Sequence, residues 1–322
     1  MTGHLDYYRA HGISPVRYSG TREQHFQRRA SLYRSLRLPP LAFRGARVLE
    51  VAAGTGQNAE YLASLKPWQL DLVEPIPMGW PEKDCWPLAP YPHIYEQTLD
   101  EFEPVGQYDL TLCENWLGLP EVEAGLLDKL ASFVAPGGVL ALTCVHPQGI
   151  YPNMLRRKIA TRLVNDSMSF EEKTAVLVSA FETHLATLPD MTRSATDWVQ
   201  DMMLNPAVEH IGLTFPMLIE KLGKDFTILG TSPEFITDWR WFKSLHGAQR
   251  SFNNRALVEY YGAESRFVDQ ADGFDPRRGI QEAESLLARD VFSIGDVRAM
   301  GPFRGLFGRE TIHVSFSRDP SP

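Results

Sequence analysis

Cysteine is scarce in this sequence, and its three copies, Cys85, Cys113 and Cys144, stand too far apart for the close pairs that zinc sites and thioredoxin-like redox motifs use. Reduced, mostly buried thiols are therefore expected. Histidines and acids at metal-ligand spacing are missing as well, so no metal dependence is expected. No apolar run approaches the roughly 20 residues of a membrane span, and the opening MTGHLDYYRAHG lacks a basic segment followed by an apolar one. A cytoplasmic location is the expectation that follows. Basic charge is in deficit: 32 Lys and Arg against 40 Asp and Glu give a net charge of −8. Such a molecule repels phosphate backbones and anionic bilayers, so neither nucleic acid nor membrane is an expected partner. The basic triplet Arg156, Arg157 and Lys158 is expected on the solvated face of a helix. Internal repeats and low-complexity tracts are absent.

What is present is enough apolar material, 43% of residues, to bury a core without disulfide or metal staples, in one large domain or two small ones. Residues 1–40 are polar and aromatic, with Tyr7, Tyr8, His11, Phe26 and Tyr33 among many arginines and breaks at Pro15 and Pro39. They read as one or two leading helices. From Arg47 the texture changes. Short apolar segments, RVLEVA, QLDLVEP, HIYEQ, YDLTLCE and GGVLALTCV, are interleaved with the helical patterns NAEYLASL and EAGLLDKLASFV. That alternation predicts βαβ units and a parallel sheet covered on both faces. After Pro147 the rhythm breaks: 154–164, 169–188 and 195–204 carry apolar positions at helical spacing with no strand between them. It returns with a helix, FPMLIEKLG, and a strand, DFTILGT. An aromatic stretch, ITDWRWFKSL, two further helices and a last strand, TIHVSFS, complete the chain. The expected division is a helical lid over 1–40, a ligand-binding core over 41–147, a helical insertion over 148–211, and completion of the core over 212–322.

The most informative stretch joins the first strand to its helix. Glu50 ends the strand, and Val51, Ala52, Ala53, Gly54, Thr55, Gly56, Gln57 and Asn58 lead into the helix. Glycines at such a turn let the backbone bend sharply and approach a ligand, and the helix start offers free N–H groups to an anion. Two ligands compete for the arrangement. Gly54, Gly56 and Ala59 satisfy G-x-G-x-x-[GA], and Glu74 lies 20 residues beyond Gly54, where an acid accepts hydrogen bonds from ribose hydroxyls. Alone, that is a nicotinamide-dinucleotide fingerprint. Glu50 weighs against it, because a carboxylate repels a pyrophosphate and attracts an ammonium or sulfonium group.

EVAAGTG resembles the first motif of class I methyltransferases that use S-adenosylmethionine (SAM), with Ala52 where the family has its first glycine. LVEP resembles the second motif, YDLTLCE the fourth strand, and LASFVAPGGVLAL the helix, PGG turn and fifth strand. The resemblance covers about 44–147 and resumes at about 212–232 and 311–317. It implies a doubly wound, seven-stranded Rossmann-like α/β sheet with an antiparallel last strand. It also implies SAM as cofactor, held by Glu50, Ala52, Gly54, Thr55, Gly56, Asn58 and Glu74. The family commonly has an acid after strand three for the adenine; here Thr98 and Leu99 stand there, followed by Asp100.

In an open parallel sheet the ligand lies at the carboxyl ends of the strands. That rule selects Glu114, Asn115 and Trp116 after strand four, as contacts to SAM or the acceptor. It also selects His146 after strand five, whose ordinary pKa near 6.5 suits a general base. Trp239, Arg240 and Trp241, and at the N-terminus Tyr8, His11 and Arg17, are candidate acceptor contacts, with core packing as their alternative reading. The expected activity is methyl transfer to an oxygen or nitrogen of a small-molecule acceptor by a monomer or homodimer, with the helical insertion capping the acceptor. The rival readings are an NAD-dependent oxidoreductase and a non-catalytic SAM-fold scaffold protein.

Overall fold

Seven strands form one sheet: β1 (Arg47–Val51), β2 (Gln69–Val73), β3 (His93–Tyr95), β4 (Tyr108–Cys113), β5 (Val134–Val145), β6 (Phe226–Ser232) and β7 (Thr311–Arg318). Their order is β3-β2-β1-β4-β5-β7-β6. The first five run parallel, while β7 lies antiparallel between β5 and β6. The computed structural model describes residues 2–12, 20–77, 80, 91–114, 120–186, 188, 193–206, 212–245, 251–268, 276–299 and 311–320.

The chain forms two units: residues 20–145, 212–263 and 311–322 make one, and 1–19, 146–211 and 264–310 the other. The first contains the sheet. Its central strands are apolar almost throughout, and Val48, Leu49, Leu72, Leu112 and Leu140 to Leu142 are fully buried, as expected of parallel strands covered on both faces. Asp71 on β2 and Glu50 on β1 are buried acids among them, and Asp71 is a crosslink. It accepts hydrogen bonds from Tyr108 Oη (2.6 Å) and Gln69 Nε2 (2.7 Å) and pairs with His93 Nδ1 (3.0 Å), so its charge ties three strands together.

Helix Arg22–Ser35 belongs to this sheet unit. It opens with a capping box between Thr21 and Gln24, and Tyr33, Leu36 and Leu38 sink into the apolar cluster with Phe43, Val48, Leu62 and Leu110. Its C-terminal end rests on the sheet. Ser315 Oγ of β7 donates to the Leu36 carbonyl at 2.7 Å, and a Cβ at Gly230 of β6 would stand 2.5 Å from the Ser35 carbonyl oxygen.

The second unit is helical, with Pro147–Leu163, Phe170–Leu185, Ala195–Val199 running into a π-helical turn Gln200–Leu204, and later Pro276–Leu287 and Ile294–Arg298. Leu155, Ile159, Leu177, Phe181, Trp198, Ala283 and Val297 form its core. Helix Thr2–His11 belongs here: Tyr7 Oη donates to the Gln200 carbonyl (2.7 Å) and Tyr8 Oη to Asp201 (2.6 Å). The first forty residues, expected as one lid, are therefore divided between the units. The basic triplet also departs from expectation. Arg156 is buried, bonded to His184 Nε2 and Asn153 Oδ1, and Arg157 donates to the carbonyls of Met202 and Asn205, leaving Lys158 exposed. Guanidinium donors serve as internal crosslinks for carbonyls that the π turn leaves without helical partners.

Candidate functional site

The turn after β1 is built from left-handed backbone. Ala52, Gly54 and Gly56 have φ of 59°, 56° and 73°, and helix Gln57–Ser64 starts immediately after Gly56. Ala52 is thus a non-glycine residue in a conformation that glycine adopts without strain, which explains why the family motif has a glycine at this place. The turn is held from β2. Glu74 Oε2 accepts from Gly54 N (2.8 Å) and Oε1 from Ile76 N (3.0 Å), while Trp80 Nε1 donates to the Gly54 carbonyl (2.6 Å). Burial raises the Glu74 pKa above the usual carboxylate range. Its oxygens retain lone pairs for a second donor each, as a ribose hydroxyl would supply.

Glu50 lies behind this turn and is buried. Asn58 Nδ2 donates to its Oε1, and among the described residues no hydrogen bond reaches its Oε2. Desolvation pushes its pKa up to about 8, against the Asn58 hydrogen bond, which favours the charged form. A cation beside Oε2 would bring the group back to ionisation.

At the end of β4, Glu114 is met by two residues of helix Arg22–Ser35. Arg29 Nη2 donates to Glu114 Oε1, and Tyr33 Oη donates to the same oxygen at 2.8 Å. Burial is the largest influence and opposes the charge of Glu114, but the Arg29 guanidinium, His313 and the hydrogen bonds from Arg29 and Tyr33 together outweigh it and hold the carboxyl below its usual range. Arg29 also donates to Tyr33 Oη (2.7 Å), as does Asn58 Nδ2 (3.0 Å). Glu50, Asn58 and Glu114, chosen from their places after strands, are thus brought together. Arg29 and Tyr33 complete the set, and sequence reasoning missed them. Their only signal was Tyr33 and an arginine one turn apart in an otherwise polar helix.

The other expected residues fall as follows. Thr55 is in the turn. Thr98 gives its hydroxyl and its N–H to Glu101 Oε2 (2.8 and 3.0 Å), its carbonyl accepts from Glu101 N and Phe102 N, and the Leu99 side chain is buried in the core. His146 caps helix Pro147–Leu163: it is fully buried and its Nδ1 accepts from Gly149 N at 3.1 Å. Tyr8 and His11 dock their helix within the helical unit, His11 stacking on Phe170 at 3.6 Å between ring centroids. Trp239 and Trp241 are exposed (73% and 62%), together with Phe242, which disagrees with core packing; Arg240 forks onto Asp238 and lies 3.8 Å over the Phe252 ring. Arg17, Asn115, Trp116 and Cys85 lie outside the described residues. Cys113 and Cys144 are buried free thiols. Among the described residues there is no group of three or more His, Cys, Asp or Glu that could hold a metal, and no helix long and apolar enough to cross a membrane.

The strand order, the antiparallel β7 and the glycine turn after β1 define the class I methyltransferase fold. No family model matches the chain. No curated protein matches it either. Among solved structures it is similar to the N-methyltransferase NodS from Bradyrhizobium japonicum, solved with S-adenosyl-L-homocysteine, at 11% identity over 99% of both chains and a TM-score of 0.42. It is similar to PKMT2 from Rickettsia typhi, solved with AdoHcy, at 14% identity and a TM-score of 0.49, covering 94% of this chain and 53% of that one. Coclaurine N-methyltransferase, bound to N-methylheliamine and S-adenosylhomocysteine, is 16% identical over 95% of this chain and 76% of that one, with a TM-score of 0.44.

Proposed function

We propose that this protein is a SAM-dependent methyltransferase acting on an oxygen or nitrogen of a small-molecule acceptor. The observation that carries the reading is the buried Glu50 carboxylate, with Oε2 unpaired among the described residues, directly behind a left-handed glycine turn in a sheet ordered 3-2-1-4-5-7-6. SAM would supply an electrophilic methyl group on a sulfonium that departs as a neutral thioether. The chain's own residues bind and orient: Glu50 faces positive charge, Glu74 receives ribose hydroxyls, and the start of helix Gln57–Ser64 receives a carboxylate. In-line positioning of an acceptor can itself supply several kcal/mol, so little covalent help is needed. The nicotinamide alternative is disfavoured by the same features, because dinucleotide folds have strand order 3-2-1-4-5-6 and place a pyrophosphate where Glu50 would repel it. A silent scaffold would bind SAM feebly and turn over no acceptor.

The acceptor reading rests on the exposed Trp239, Trp241 and Phe242, with Lys243 Nζ 6.0 Å from the centroids of the latter two rings. That surface suits a flat or anionic small molecule, and the net charge of −8 disfavours a polyanionic macromolecule as acceptor. His146 is assigned general-base help for a hydroxyl acceptor. The cap bond to Gly149 engages the Nδ1 lone pair, so the proton would enter there only as that bond is released.

Separate calorimetric titrations with SAM and with NAD test the function. Saturable SAM binding is expected; NAD binding without SAM binding would end the proposal. Replacing Glu74 by Ala removes the turn clamp and the ribose acceptor together, and SAM affinity should drop by about 1.5–3 kcal/mol, the worth of hydrogen bonds to a charged group. For His146, asparagine separates the two roles because it caps helices well. Turnover of His146→Asn should fall far more than its thermal stability, whereas full activity would leave His146 as a cap alone.

A further inference from the structure

The hydrogen bonds around Tyr33 have a direction. A phenol carries one proton, and here two donors, Arg29 Nη2 (2.7 Å) and Asn58 Nδ2 (3.0 Å), already point at the Tyr33 oxygen. Two acceptors lie within reach of that proton, Asn58 Oδ1 at 3.3 Å and Glu114 Oε1 at 2.8 Å, and the nearer, charged carboxylate takes it. Glu114 accepts it most strongly as a carboxylate, and the buried Arg29 guanidinium beside it favours that form. With Tyr33 oriented in this way, both N–H bonds of Asn58 have oxygen acceptors: the Tyr33 hydroxyl and Glu50 Oε1. The amide is thereby locked with its nitrogen, and not its oxygen, toward Glu50. Without the Tyr33 oxygen the amide loses one of its two anchors and can turn Oδ1 toward the Glu50 carboxylate, an oxygen-to-oxygen contact that repels the ionised form. The Tyr33 ring is fixed independently of its hydroxyl, 5.2 Å from Phe43 and 5.9 Å from Tyr61 between centroids.

We infer that Arg29 and Tyr33 of helix Arg22–Ser35 are positioning residues of the cosubstrate site, acting through Glu114 and Asn58 to set the Glu50 carboxylate against the positive charge of SAM. This inference rests on the SAM reading above. It makes the helix a working wall of the site. The charged and titratable groups around these residues are Glu50 from β1, Glu74 after β2, Glu114 after β4, His25, Arg29 and Tyr33 from the helix, and His313 of β7, whose Nε2 is 3.5 Å from Glu114 Oε2.

A double-mutant cycle on SAM binding tests it, with Tyr33→Phe, Asn58→Ala and the pair measured by calorimetry beside the parent protein and with thermal midpoints taken in parallel. Tyr33→Phe retains the packed ring and should weaken SAM binding roughly tenfold, the scale of one buried hydrogen bond converted to affinity. In the Asn58→Ala background the same change should have little effect, because the amide it orients is gone. The pH at which SAM affinity reaches its plateau should also rise in Tyr33→Phe, a shift that loss of packing alone would not produce. Additive losses, or a Tyr33→Phe protein that is less stable but binds SAM at the parent's affinity and pH profile, would overturn the inference. Failure of the parent to bind SAM would overturn the functional reading itself, and the two failures are thus told apart.

Discussion

Glu50 interrupts a strand of buried hydrophobes with a carboxyl group that burial makes reluctant to ionise, its pKa pushed up to about 8. In the unfolded chain it would titrate near 4.5, so between those values the folded protein holds a proton that the unfolded chain releases. This group therefore favours folding at low pH, and its contribution is lost as pH rises through about 8. A cationic ligand reverses the preference. SAM binding at pH 7 should release a proton, seen as binding heats that depend on the ionisation enthalpy of the buffer, and Glu50→Gln should abolish that dependence. Buffer-independent heats in the parent would place the cation elsewhere. Ala52 offers a second test, of backbone and not charge. At φ 59° it carries left-handed strain that glycine lacks, so Ala52→Gly should stabilise the protein by about 1 kcal/mol in urea unfolding; a loss of stability would mean that the methyl group packs more usefully than its backbone suffers.

Among the elements, helix Arg22–Ser35 is where expectation and structure differ most. Its composition is polar, and no apolar stripe marks it as core-facing. It is nevertheless anchored by a few residues at its C-terminal end, Tyr33, Leu36 and Leu38, and by the contact of Ser35 and Leu36 with β6 and β7. A side chain at Gly230 would collide with the Ser35 carbonyl, and backbone yields less readily than a flexible side chain. Gly230→Ala should cost about 1–3 kcal/mol, as overpacking does, measured by the shift in urea midpoint. An unchanged midpoint would show that the helix end is free to move off the sheet. The strands, by contrast, were legible. Val, Leu and Ile runs bounded by Gly, Pro and Asp specify buried parallel strands with little help from their neighbours, and the seven expected segments are the seven strands observed. The helices of the insertion were legible for the complementary reason, apolar positions at a period near 3.6, while the two helices expected before β7 are three, Ser251–Val268, Pro276–Leu287 and Ile294–Arg298.

For the molecule as a whole, the sheet-bearing unit contains the proposed SAM site, and a ligand that binds only the folded state stabilises what it touches. At a hundredfold excess over its dissociation constant the gain is about 2.7 kcal/mol. Amide hydrogen exchange with and without SAM should show added protection in peptides covering 47–58 and 22–35. Protection confined to the first would detach the helix from the site.

Order along the chain determined the strands, the glycine turn and the placing of acids at strand ends, because periodicity and turn chemistry act over a few residues and survive without knowledge of the rest. Which helix meets those acids was decided only in three dimensions. Arg29 and Glu114 are 85 positions apart, and nothing local distinguishes an arginine that finds a buried carboxylate from the many that face water. The same holds for Arg156, which a helical pattern places at the surface and packing takes inside. Charge pairs over such distances are selected by burial, which makes an unmatched carboxylate costly, and burial is a property of the assembled sheet and its covering helices.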